Sequence, residues 1–301
     1  MKFTLYLPML MLSASVLSAP NEASVSYSAG AFTFEEHSSA AVADLDELRL
    51  HARTGKPIAL KFSRSRGVAD VVDLTAQGNL RVGGQRILWP DGHIDSTKKG
   101  LWALSEGVAV QASPSKLIVN FQQRNCRLSA PKGFRFEQLN AGQVPRSMAA
   151  NDNYAYAILE AQRQDGHPQI LLPIRVSLTT CQVTVGTRFV SPGFDYRLQV
   201  RGERALLASR AESALLLSKD VLTWRRESLP TMTHALLAAN IIMSGGVQIA
   251  VSRADRDFAL GFFSKAESDG AVWQDTSDIQ SKPMTWIDGA REAAFSAASF
   301  R

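Results

Sequence analysis

Leu80-Arg81-Val82-Gly83-Gly84-Gln85-Arg86-Ile87-Leu88-Trp89-Pro90-Asp91-Gly92 is the stretch on which the fold reading turns. Two three-residue apolar runs flank Gly83-Gly84, and Pro90-Asp91-Gly92 closes the second run with a turn. Runs this short, punctuated by residues that tolerate positive φ or fix it near −65°, read as hairpin strands. The texture continues in both directions: Pro57 to Phe62 before it, then Gly107 to Gln111, Leu117 to Phe121, Tyr154 to Leu159, Ile170 to Val176 and Gln182 to Val185. Ala205 to Leu217 and Leu236 to Met243 are Ala/Leu-rich, which suits a helix by propensity. Each nevertheless runs through a turn into a second apolar run, as at Ile241 to Ile249 around Gly245-Gly246, and strands are expected there. One helix is expected, over Ser38 to Arg53, capped by Ser38 or Ser39, striped by Val42, Leu45, Leu48 and Leu50, and stopped at Gly55-Lys56-Pro57. Residues 20–37 read as an extended lead-in.

The N-terminus sets the expected compartment. Lys2, the apolar run Leu5 to Leu12 interrupted by Pro8, and Val16-Leu17-Ser18 have the layout of a secretory signal peptide over residues 1–18. A periplasmic or secreted protein is expected, with no further run long enough for a membrane-spanning helix. The formal charge of +5 falls to +4 on loss of Lys2, and the basic residues are scattered. A nucleic-acid footprint would need a stripe of them, so no nucleic-acid partner is expected. In an oxidising compartment Cys126 and Cys181 read most simply as one disulfide. Two buried thiols or a metal site are the alternatives, and no histidine lies within a few residues of either cysteine.

Three strings share a pattern. Ser129 to Phe136 has the spacing Ser-x-x-x-Gly-x-x-aromatic through Gly133. Ser218, Asp220 and Trp224 keep the Ser, Asp and Trp of that pattern one residue short. Ser268, Asp269, Gly270 and Trp273 keep its Gly-x-x-Trp end. Together they resemble degenerate Asp-box (BNR) repeats of sialidase-like β-propellers, in which the motif forms a hairpin turn between the outer strands of a blade. The serines at 129, 218 and 268 are spaced by 89 and then 50 residues, two repeats and then one. The resemblance implies an all-β, propeller-like domain of five or six blades over residues 57–301, after a lead-in and helix over 19–56; a β-sandwich is the alternative. Cys181 to Phe189 echoes Cys126 to Phe136, which would put the two cysteines at matching places on neighbouring blades.

Sialidase-type catalysis would require an arginine triad, a Tyr–Glu nucleophile pair and an Asp acid/base. No such set is matched here, and the family's Arg-Ile-Pro signature is absent. The close carboxylates Glu35-Glu36 and Asp44/Asp46-Glu47 read as solvated surface rather than a glycosidase pair. His37, His51, His93, His167 and His234 form no ligand spacing, and no nucleophile elbow, phosphate loop or dinucleotide fingerprint occurs. No metal and no cofactor are expected. Arg253-Ala254-Asp255-Arg256-Asp257 is the densest charged cluster, a polar loop or a partner contact. The function expected is therefore non-catalytic protein binding in the cell envelope or outside the cell, as an inhibitor or immunity protein or an assembly factor. A carbohydrate-binding or glycoside-hydrolysing protein is the alternative, and a structural envelope component a third.

Overall fold

Short alternating runs pair with their nearest neighbours in the chain, and the result is a succession of antiparallel sheets. The computed structural model describes residues 24–29, 32–38, 45–63, 70–161, 169–192, 196–209, 214–228, 233–235, 241–243, 246–253, 259–266 and 274–275. The expected signal peptide lies outside them. Among the described residues there are six sheets, all antiparallel, each made of strands consecutive in sequence.

The first sheet holds β1 (Ser24–Ala29), β2 (Phe32–Ser38), β3 (Leu45–His51) and β4 (Ile58–Ser63). The second holds β5 (Val72–Leu74), β6 (Leu80–Val82), β7 (Arg86–Leu88) and β8 (Ile94–Ser96). In the third are β9 (Trp102–Ser105), β10 (Val108–Ser113), β11 (Lys116–Phe121) and β12 (Arg124–Ser129). The fourth contains β13 (Phe134–Arg135), β14 (Met148–Ala150), β15 (Tyr154–Ala161), β16 (Ile170–Ser177), β17 (Val183–Val185) and β18 (Phe189–Val190). The fifth is β19 (Tyr196–Arg201), β20 (Arg204–Ser209), β21 (Ala214–Ser218) and β22 (Arg225–Ser228). The sixth is β23 (Thr233–Ala235), β24 (Ile241–Met243), β25 (Gly246–Arg253), β26 (Ala259–Ala266) and β27 (Gln274–Asp275).

The fourth sheet is the same four-strand meander with two interruptions. β13 and β14 both pair with β15, as one edge strand broken by residues 136–147, and β17 and β18 both pair with β16, broken at 186–188. From the third sheet to the sixth the first strands sit side by side: β9 next to β14, β14 next to β19, β19 next to β24, while the second sheet meets β9 through β6 and β7.

The strands expected at 80–82, 205–217 and 241–249 are present, and Gly83-Gly84 and Pro90-Asp91-Gly92 are turns. The helix expected over Ser38 to Arg53 is overturned. Leu45–His51 is strand β3, hydrogen-bonded to β2 on one side and β4 on the other. The stripe of Leu48 and Leu50 served a period of two instead: Asp46, Leu48 and Leu50 are buried while Leu45 and Arg49 are exposed. The lead-in forms β1 and β2, so the first sheet runs across residue 57, where a domain was expected to begin.

Two cores decide how the central sheets stack. Ala155, Ala157 and Leu159 of β15 pack with Val110, Leu117 and Val119 of the third sheet. The intervening Tyr156 and Ile158 pack with Leu198, Leu207 and Leu216 of the fifth. β15 is thus buried on both faces, each full-sized aliphatic side chain contributing roughly 1.5–3 kcal/mol.

Candidate functional site

Where β5 and β6 of the second sheet, β14 of the fourth and β19 of the fifth approach one another, the interior is charged. Asp73 of β5, Arg81 of β6 and Arg197 of β19 are 7%, 1% and 3% exposed. Arg81 Nη2 pairs with Asp73 Oδ2, and its Nη1 donates to the Met148 carbonyl at 2.9 Å. Arg197 Nη1 lies 3.2 Å from the same Asp73 Oδ2. Asp73 Oδ1 accepts the Leu74 N–H at 2.8 Å. One carboxylate thereby ties the second sheet to the fifth, and one guanidinium ties the second to the fourth. Burial lowers the Arg197 guanidinium from its ordinary value, Asp73 opposing that shift and Arg81 adding to it.

Residues 136–147, the interruption of the fourth sheet's edge strand, run beside this group and contact the second, third and fifth sheets. The Val144 N–H donates to the Asp70 carbonyl at 2.9 Å, and Gln143 Nε2 to Asp70 Oδ2 at 3.0 Å. Trp102 Nε1 donates to the Asn140 carbonyl at 3.2 Å, and the Leu198 N–H to the Arg146 carbonyl at 2.8 Å. Gly84, at φ 77°, is required here, because a β-carbon would run into the Gln143 carbonyl oxygen. Glu137 fixes the return of the segment by accepting from the Arg146 and Ser147 N–H groups and from Ser147 Oγ, at 2.8–3.1 Å. Burial works against the Arg146 charge, but Glu137 overrules it and raises the guanidinium above its usual value. Tyr196 donates to Glu160 Oε1 at 3.1 Å, and burial together with Glu160 and Glu137 pushes its phenol well above the ordinary range.

The three Asp-box-like strings fare differently. Ser218 to Trp224 is the turn between β21 and β22, the outer pair of the fifth sheet. Asp220 Oδ1 accepts from the Leu222 N–H at 2.9 Å, the Thr223 N–H at 2.8 Å, Thr223 Oγ1 at 2.9 Å and Ser218 Oγ at 3.0 Å. Burial raises the Asp220 carboxyl, but these donors outweigh it and hold it below the ordinary 3.8. Trp224 donates its Nε1 to the Val221 carbonyl at 3.0 Å and lays its ring 5.3 Å from that of Phe189 in the fourth sheet. The turn is keyed in at Gly186, where a β-carbon would collide with the Leu222 carbonyl, and by the Thr187 N–H donating to that carbonyl at 3.0 Å.

Ser129, Gly133 and Phe136, by contrast, do not form a turn inside one sheet. Ser129 ends β12, Gly133 (φ 82°) lies in the link to β13, and Phe136 is buried between the third and fourth sheets. The Pro131 that stands where an Asp-box has its Asp leaves no carboxylate to organise a hairpin. Ser268, Asp269, Gly270 and Trp273 lie in the chain between β26 and β27, outside the described residues. Arg253 ends β25, while Asp255, Arg256 and Asp257 lie outside the described residues.

Cys126 and Cys181 form a disulfide, Cα–Cα 5.2 Å, that joins the third sheet to the fourth. They are not at matching places: Cys126 is within β12, whereas Cys181 sits in the β16–β17 turn at φ 59°. Two of the five histidines scattered in sequence, His37 and His51, come together. β2 and β3 bring His37 Nε2 and His51 Nε2 to 3.8 and 3.4 Å from Glu35 Oε2. Neither this group nor the buried charged one was legible as a motif: neighbouring strands of the first sheet assemble the one, a contact between the second and fifth sheets completes the other, and no fixed spacing marks either.

A groove of about 670 Å³ lies between the Pro114-Ser115 turn and Pro131 to Arg135, with Arg188 stacked 5.1 Å over the Phe134 ring at its edge. No protein-family model and no curated protein matches the chain.

Proposed function

We propose that the six sheets are blades of a propeller and that the protein, exported to the periplasm or beyond, binds another protein without catalysing a reaction on it. Three features support the ring: every sheet is a sequential meander, the first strands of the third to sixth sheets lie together in succession, and Asp73 of the second sheet meets Arg197 of the fifth, as opposed blades of six would. The Ser218 to Trp224 turn, wedged between fourth and fifth sheets, supports the Asp-box likeness at one blade.

The observation that carries the functional reading is the filled middle. Where a propeller enzyme or lectin would gather its ligand, Arg81 and Arg197 engage the chain's own Asp73, and residues 136–147 bond to the Asp70 and Leu198 backbone beside them. A sugar carboxylate seeking an arginine cluster would have to displace an internal one. What is left for recognition is the rim and its loops, which suits a broad macromolecular partner. An inhibitor or immunity protein, or an envelope assembly factor, has this requirement.

The test is co-purification of the mature protein from the envelope fraction, with the recovered complex rebuilt from pure components. A stoichiometric protein complex is expected, with no turnover of a glycoside panel. Cleavage of any glycoside by the pure protein, abolished by a point substitution, overturns the reading. Solution scattering tests the ring separately, since a closed disc of this length has a radius of gyration of about 19 Å and an open row of sheets a much larger one.

A further inference from the structure

A sheet's outermost strand presents unpaired backbone groups, and folded proteins guard such edges with charge. Most outer strands here follow that rule. β4 carries Lys61, β8 Asp95, β12 Arg124 and Arg127, β22 Arg225, Arg226 and Glu227, and β27 Asp275. The outer edge of the fourth sheet does not. β17 is Val183-Thr184-Val185 and β18 is Phe189-Val190.

Three of the five exposed large aliphatic residues among those described are on this edge: Val183, Val185 and Val190, at 43%, 54% and 46% exposure. Their cross-strand partners are Val176, Ile174 and Ile170, which pack in the core shared with the third sheet. The valines therefore extend that core outward, into the cleft between the two sheets, past the edge of what the third sheet covers.

The charges that flank the cleft are of one sign. From 107 to 136 and from 166 to 194 the chain contains no Asp or Glu. Arg124, on the face of Cys126 and Leu128, and Arg188, stacked over Phe134, are on the cleft side, whereas Lys116, Arg127 and Arg175 alternate onto the opposite faces. Of the nearby acids on β15 and in the 136–147 segment, Glu160 is engaged by Arg135 and Tyr196, and Glu137 by Arg146 and Ser147.

We propose that this edge receives an extended, acidic segment of a protein partner, added as a strand along β17 and ending short of Thr187, whose N–H is already donated to the Leu222 carbonyl. Main-chain hydrogen bonds would supply affinity, and alternate apolar side chains would rest on Val183 and Val185. Arg188 and Arg124 would select carboxylates at the flanks. A second copy of this chain fits less well, because two such edges would bring like charges together. The proposal rests on the protein-binding reading above and narrows it to one surface.

The probe is a labelled peptide of alternating valine and glutamate, read by fluorescence anisotropy with the mature full-length protein, beside its lysine counterpart, an N-methylated version and heparin. Binding of the glutamate peptide is expected, weakened roughly tenfold or more by N-methylation, by Val185→Lys and by Arg188→Glu, and falling with salt. Both variants are expected to melt as the parent does, since the two side chains are exposed or marginal to the core; Val183→Thr is a milder second variant should Val185→Lys fail to fold. Failure of the glutamate peptide to bind, equal binding of the lysine peptide, or indifference to Val185→Lys and Val183→Thr overturns the proposal. So does heparin binding that ignores N-methyl-sensitive pairing, which would mark a polyanion surface, or self-association abolished by Val185→Lys, which would mark a homodimer. A native complex that survives Val185→Lys would remove this edge while leaving protein binding intact; glycoside turnover would remove both.

Discussion

At the centre, Asp73, Arg81 and Arg197 are almost wholly withdrawn from water, whereas on the outer strands Arg124, Arg127, Arg225 and Arg226 stand in it. The same chemistry does opposite work in the two places. In the interior the charges answer one another, Asp73 pairing with Arg81 inside the second sheet and with Arg197 of the fifth, so that one carboxylate links sheets far apart in the chain. On the rim, charge is a guard against unwanted strand pairing and contributes little to holding the fold. The comparison can be broken at the centre first. Asp73→Ala strands two buried guanidiniums and is expected to lower stability by about 3–5 kcal/mol, while Arg226→Ala is expected to change it by less than about 0.5 kcal/mol. Chemical denaturation of the two variants side by side checks this, and similar losses from both would erase the distinction.

The disulfide tests the intermediate zone, where sheets meet but no charge ties them. It closes a loop of 55 residues between the third and fourth sheets. The paired substitution Cys126→Ser with Cys181→Ser is expected to cost about 2–4 kcal/mol, read from the same denaturation curves. A loss no greater than that of a rim substitution would mean that the β15 core holds the two sheets without help.

The inner and outer regions were not equally legible. Hairpins at 80–88 and 241–249 could be read because glycine pairs separate short runs, and the run lengths leave no room for a helix. The first sheet could not, because Asp46 occupies an inward position of β3 and breaks the apolar alternation, leaving a spacing that suits 3.6 residues per turn better than two. The turn at Ser218 was recognisable since its Asp and Ser act within six residues of each other. The Ser129 string matched the same spacing but lacked the carboxylate, and it became a link between sheets. The buried charged group was beyond any local reading: Asp73 and Arg81 are cross-strand partners on the neighbouring strands β5 and β6, a pairing that no motif spacing marks, and Arg197 is brought to them from the fifth sheet.

Between centre and rim sits Tyr156, buried on β15 with its hydroxyl accepting from Asn151 Nδ2 at 2.9 Å. Burial pushes its phenol up to about 12 from the ordinary 10.0. A folded-state value raised in this way means that the neutral phenol's contribution is complete below pH 10.0 and is lost as pH climbs through about 12. Stability measured across that alkaline window is expected to fall in the parent. In Tyr156→Phe it is expected to fall less steeply, from a start about 1 kcal/mol lower. The Asn151 amide keeps its other acceptor, the Gly202 carbonyl, at 2.6 Å, which limits the initial loss.

The smallest effect belongs to the rim, at Asp220, and has the opposite pH sign. Its carboxylate is held below 3.8 by donors from Ser218, Leu222 and Thr223, so its contribution is present above 3.8 and disappears as pH falls through the lower folded value. Asp220→Ala is expected to cost about 1 kcal/mol near neutrality and to remove part of the acid dependence, with the central group still intact. Because the turn also carries Trp224 onto Phe189, its fluorescence reports whether the loss stays local. A change in tryptophan emission without a matching shift of the global transition is the outcome expected of an edge turn that docks on a neighbouring sheet. A cooperative loss as large as that of Asp73→Ala would instead make the Asp-box-like turn as much a tie between sheets as the buried charges are.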